Sequence, residues 1–161
     1  SEWCSELYRL HNLTVDAIFV DGGGVGGGVV DYLRALGYKI FDVQFGSKPR
    51  DPLRYANKRA ELWGNLKEWM ETGALPNDRD LEAQLTSIEY GFNLKEQIQL
   101  ERKEVMKSRG LASPDEAEAI ALTLAQPVAP KNLLARHHKS KNNIRNWNPY
   151  AREGEAGYVK R

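Results

Sequence analysis

A chain of 161 residues, 41% hydrophobic and 28% charged, has the composition of one soluble globular domain and excludes the fibrous and membrane classes. Its 23 basic and 22 acidic residues leave a net charge of +1, so affinity for nucleic acid has to come from local clustering of charge. The one cysteine, Cys4, excludes an internal disulfide framework and points to a reducing compartment; no apolar run reaches transmembrane length, and Glu2 and Glu6 stand where a signal peptide is basic.

Trp3, Leu7 and Leu10 recur at helical spacing and predict a short amphipathic helix leading into a buried strand over 15–21, with Ala17, Ile18, Phe19 and Val20 ahead of Asp21. Six of the seven residues 22–28 are glycine, which lets the chain turn sharply at the strand end. Val29, Val30, Leu33 and Leu36 then keep helical period up to Gly37, a C-cap. A second strand is predicted over 38–45, so strand, turn, helix and strand make a right-handed βαβ unit with two parallel strands. After a loop over 46–52, Ala56, Ala60, Trp63, Leu66 and Met70 form one face of a long helix stopped by Gly73 and Pro76. Its other face carries Asn57, Lys58, Arg59, Glu61 and Lys67. Asp78 or Asp80 caps a short helix with Leu81, Leu85 and Ile88 on its core side, and a β-hairpin is expected across 86–101. Ser113, Pro114 and Glu116 read as N-cap, first helical residue and capping box of a last helix running to Ala125. Beyond Pro130 the chain turns to lysine, arginine and asparagine without apolar periodicity, so 129–161 is expected to be a basic, flexible tail.

Three carboxylates carry the chemistry. Asp21 ends a strand at the glycine turn, while Asp115 and Glu118 are three apart and project from nearly one face of a helix start. Acids at a helix N-terminus also complement the macrodipole, which accounts for Asp115 and Glu116; Glu118, set among Ala117, Ala119, Ile120 and Ala121, requires a cation. Clustered carboxylates without histidine or cysteine favour hard cations, Mg²⁺ or Mn²⁺, and two such ions about 3.5–4 Å apart would suit phosphodiester cleavage. A competing reading is a dinucleotide fingerprint, with Gly22, Gly24 and Gly27 as G-x-G-x-x-G and Asp42 downstream. It is weak, because a glycine run makes that pattern nearly unavoidable and Asp21 would oppose a pyrophosphate. A phosphate loop is excluded by the missing lysine and hydroxyl residue.

Lys48, Arg50, Arg54, Lys58 and Arg59 form a basic stretch on a loop and helix start, able to neutralise DNA phosphates or to serve as a solvated face. His11, His137 and His138 have no metal-ligand spacing, and Trp63 and Trp69 are expected in the core.

Residues 20–33 (VDGGGVGGGVVDYL), 55–63 (YANKRAELW) and 109–123 (RGLASPDEAEAIALT) together resemble the nuclease domain of the large terminase subunit of tailed bacteriophages. The resemblance covers about residues 1–128 and implies an α/β ribonuclease H-like fold, with a mixed sheet flanked by helices. It implies a two-metal endodeoxyribonuclease that cuts concatemeric viral double-stranded DNA during genome packaging in the host cytoplasm. Asp21 and Asp115 match the family's metal-binding acids, with Glu118 where relatives often carry a further aspartate. The implied partners are double-stranded DNA, the portal protein, the small terminase subunit and an ATPase domain of the same polypeptide, and no membrane. The family's first acid lies on a strand upstream of the helix at Trp3, so the chain is expected to be a carboxy-terminal piece lacking the first strands and to be weak or inactive alone. The alternative is a non-catalytic DNA- or portal-docking module.

Overall fold

A computed structural model describes residues 16–24 and 26–129. The helix expected around Trp3, Cys4, the three histidines and the tail from Pro130 onward lie outside them. In chain order the described elements are β1 (Ile18–Asp21), α1 (Gly26–Ala35), β2 (Ile40–Val43), α2 (Lys58–Trp69), α3 (Arg79–Ser87), β3 (Tyr90–Phe92), β4 (Ile98–Leu100), α4 (Lys103–Ser108) and α5 (Asp115–Leu122). The class is α/β, and the strands pair as two separate two-stranded sheets among the described residues.

β1 and β2 run parallel, with Ile18 opposite Ile40 and Asp21 opposite Val43. Side chains alternate across such a pair. Ile18, Val20 and Ile40 pack with Val30 and Leu33 of α1. Phe19, Val43 and Phe45 pack on Leu62 and Leu66 of α2 and on Ala121, Leu122 and Ala125. The small sheet is therefore covered by α1 on one face and by α2 and α5 on the other. Alternation puts Asp21 with Phe19 on the α2 and α5 face and Asp42 with Ile40 on the α1 face.

The crossover is set by two glycines. A Cβ on Gly26 would lie 1.8 Å from the Asp21 carbonyl oxygen, so only glycine lets α1 start this close to the strand it leaves. Gly26→Ala is expected to cost about 1–3 kcal/mol through forced displacement of backbone, read as a lower denaturant midpoint at unchanged slope. At the other end Gly37 sits at φ +85, its N–H bonds the Arg34 carbonyl and the Tyr38 N–H bonds the Leu33 carbonyl. This is the Schellman termination expected at that glycine. The α1 stripe is narrower than its spacing predicts: Val30 and Leu33 are buried, whereas Val29 and Leu36 are exposed.

Asn57 caps α2 by accepting the Ala60 N–H, and Asp78 caps α3 by accepting from Asp80 and Leu81. Trp63 joins Leu81 of α3 and Ala117 of α5 in a third cluster, while Trp69 is 38% exposed, contrary to the expectation of a core residue. The hairpin forms as β3 and β4 in antiparallel pairing. Its strand β4 is tied back to the chain before α2, the Ile98 N–H donating to the Arg54 carbonyl and the Ala56 N–H to the Ile98 carbonyl.

The capping box at α5 does not form. Pro114 occupies the N-cap position without a side-chain bond, and the Ser113 hydroxyl donates instead to the Asp115 carboxylate at 2.7 Å. The orphan N–H groups of Glu116 and Ala117 are accepted by the side-chain oxygen of Gln84, from α3. No described helix is long and apolar enough to cross a membrane.

Candidate active site

Asp21 closes β1 at the glycine turn. Its carboxylate accepts the Gly23 N–H at 3.1 Å, and the Gly22 N–H continues the ladder to the Val43 carbonyl. On the opposite face the Asp42 carboxylate lies so close to Gly22 that a Cβ there would meet it at 2.0 Å. Two carboxylates thus flank the turn. A pyrophosphate at that place would face both charges, which weighs against dinucleotide binding.

Glu118 of α5 is 4% exposed, and its cations come from the protein itself. Arg59 Nε donates to one carboxylate oxygen at 2.7 Å and Lys103 Nζ lies 2.7 Å from the other. Lys103 also lies 3.5 Å from Asp115, whose side chain is 76% exposed. Hydrogen bonding from Ser113, helped by the Lys103 ammonium, holds the Asp115 carboxyl below the ordinary carboxylate range against the opposing effect of burial. Asp115 is therefore ionised at neutral pH. The Arg59 N–H bonds the Phe45 carbonyl just past β2, so the start of α2 that carries Arg59 lies at the carboxyl end of the parallel strands, the end that Asp21 closes.

The basic residues divide into two sets. Lys48, Arg50 and Arg54 are exposed. Arg54 pairs with Glu68 at 2.9 Å and lies over the Tyr55 ring. Lys58 and Arg59, expected on a solvated face, are turned inward with side chains 11% and 13% exposed. Lys58 pairs with Glu61 at 2.5 Å, and Arg59 spends its donors on Glu118 and the Glu101 carbonyl. Glu61, also expected outside, is 4% exposed because its carboxylate accepts the N–H groups of Arg50 and Asp51 and fastens the loop before α2.

Lys103 and Gln84 carry site geometry that pattern reading misses. Each is one polar residue in a polar stretch, and its partner lies on another element. The same holds for Arg109, which pairs with Glu89 and Glu101.

A hard divalent ion suits this donor set in part. Asp21 and Asp115 present carboxylate oxygens at a strand end and a helix start, while both oxygens of Glu118 are held by cationic side chains. Among the described residues no group of three or more histidine, cysteine, aspartate or glutamate side chains gathers to hold a metal.

No protein-family model matches the chain. No curated protein sequence matches it either. Among solved structures the fold is shared with the nuclease domain of a phage large terminase subunit. The nuclease domain of the large terminase subunit gp2 of bacterial virus Sf6 superposes with TM-score 0.63 at 24% identity, covering 78% of this chain and 70% of that one. Mutant forms from the same large terminase subunit, the nuclease domain with manganese and beta-thujaplicinol and gp2c with calcium, match at TM-score 0.61 over the same shares of the two chains, with 23% and 22% identity. At this identity the likeness establishes the fold.

Proposed function

We propose that this chain is the nuclease domain of a viral DNA-packaging motor, an endonuclease that cuts concatemeric double-stranded DNA, with the domain spanning residues 1–128 and a basic tail over 129–161. The observation that carries the reading is Asp21, placed at the carboxyl end of a parallel strand on a glycine turn, in a fold shared with terminase nuclease domains. Asp21 and Asp115 are the residues to hold Mg²⁺ or Mn²⁺. A pair of such ions polarises the phosphate and activates a water. Glu118 is the third acid, and it reaches an ion only if Lys103 gives up its oxygen. Ser113 and Lys103 favour the ionised form of Asp115. The partners of the working assembly are double-stranded DNA, the portal protein, the small terminase subunit and the ATPase domain, met in the host cytoplasm at the procapsid.

The test is nicking of supercoiled plasmid by the purified chain in Mn²⁺ or Mg²⁺. Weak, metal-dependent nicking is expected, lost in Asp21→Asn and in Asp115→Asn while DNA affinity is retained, since phosphate contacts come from lysine and arginine. Nicking that survives both substitutions overturns the site. DNA binding with no nicking in either metal turns the reading to the docking module, for which the neutralised Glu118 is the favouring observation.

A further inference from the structure

Among the described residues β2 pairs only with β1, so its other edge is open. Along that edge runs a cavity of about 390 Å³ lined by Arg34, Asp42, Gln44, Ser47, Arg50 and Lys58 together with neighbouring apolar groups. Three cations thus face one acid. Lys58 is committed to Glu61. Arg34 and Arg50 are exposed, and among the described residues neither guanidinium has a carboxylate partner.

We infer that this groove seats the phosphodiester backbone of DNA, with Arg34 and Arg50 as its two phosphate clamps. The inference deepens the nuclease reading and rests on it for the identity of the polyanion. Arg34 enters from the last turn of α1, which feeds β2, and Arg50 from the loop that leaves β2. In sequence they stand on either side of β2, a strand of four residues and about 13 Å of chain at the usual rise, and both line the one groove, which suits an extended polyanion better than one small anion. Guanidinium forks bind phosphate bidentately and stay charged at any working pH. The open edge adds neutral donors, because a strand paired on one side turns unpaired N–H groups outward. Arg34 also complements the carboxyl end of the α1 dipole, a role that needs no ligand; Arg50 lies on no helix and has no such account.

The experiment is binding of a labelled duplex by fluorescence anisotropy as a function of salt, comparing the wild-type chain with Arg34→Ala/Arg50→Ala. Lys67→Ala/Lys95→Ala serves as a control of equal charge change, both lysines being exposed elsewhere. Each phosphate contact contributes about 0.9 to the slope of log K against log salt. The arginine pair is therefore expected to flatten that slope by about 2 and to weaken binding at 0.1 M salt roughly 60-fold relative to 1 M. The lysine pair is expected to leave both nearly unchanged. An arginine pair no more affected than the lysine pair overturns the groove. So does displacement of the duplex by polyglutamate at equal charge concentration, which would make the edge a docking strand for an acidic protein. Plasmid nicking at saturating DNA separates this test from the nuclease reading. Nicking that persists while the arginine pair is silent sinks the groove alone; arginine-dependent binding without nicking in any metal sinks the nuclease and keeps the groove.

Discussion

Replacing Glu118 with alanine is expected to lower the unfolding free energy by about 3–5 kcal/mol, the range for removing one partner of a buried ion pair. Among the described residues the carboxylate is the one acidic partner of the Arg59 side chain, which is 13% exposed with its Nη2 atom unbonded. Without Glu118 the guanidinium keeps the Glu101 carbonyl alone, at 2.9 Å, as its acceptor. The Lys103 side chain is 39% exposed and recovers water, so its share of the loss is small. Urea unfolding of Glu118→Ala, Arg59→Met and the double variant isolates the pair. The double variant should recover part of the loss, because it leaves no unpaired buried charge. A single-variant loss below about 1 kcal/mol would mean that the pair behaves as a solvated surface contact.

Glu61→Ala is expected to cost about 3 kcal/mol, since it removes the acceptor of two backbone N–H groups and the partner of a shielded lysine. Burial alone would raise the Glu61 pKa, but hydrogen bonds from the Lys58 ammonium and from the Asp51 and Arg50 N–H groups outweigh it, and the carboxyl lies below its ordinary value. A depressed carboxylate stabilises the fold fully above its unfolded pKa, about 4.3, and that contribution is lost as pH falls through the lower folded value. Glu61→Gln should therefore be less stable than wild type at pH 7, with the gap closing below about pH 4. A pH-independent gap would show that the amide geometry, and not the charge, sets the loss.

The local devices of this fold are legible in the sequence because each is complete within a few residues. Asp78 before α3, Gly37 after α1 and the parallel pairing of β1 with β2 all follow from adjacent residue types. The failures at the start of α5 and at Arg59 share one cause, a partner distant in sequence. Ser113 and Glu116 have the spacing of a capping box, yet Gln84, 32 residues away, takes the Glu116 N–H that Ser113 would accept. Lys58 and Arg59 look like a solvated face until Glu61 and Glu118 turn them inward, and the second of those partners is 59 residues distant. For the site, the need of Glu118 for a cation is legible from its apolar neighbours; that Arg59 and Lys103 meet it is not, since a charge among charges carries no period.

The bond from Gln84 to the start of α5 also makes two helices share one opening event. Amide exchange at Glu116 and Ala117 requires the Gln84 oxygen to leave, so the protons that flank Asp115 report on the docking of α3 as well as on fraying of α5. Loosening α3 at a distance would then change how long Asp115 holds its position, and Gln84→Ala should speed exchange at those two amides ahead of the rest of the helix.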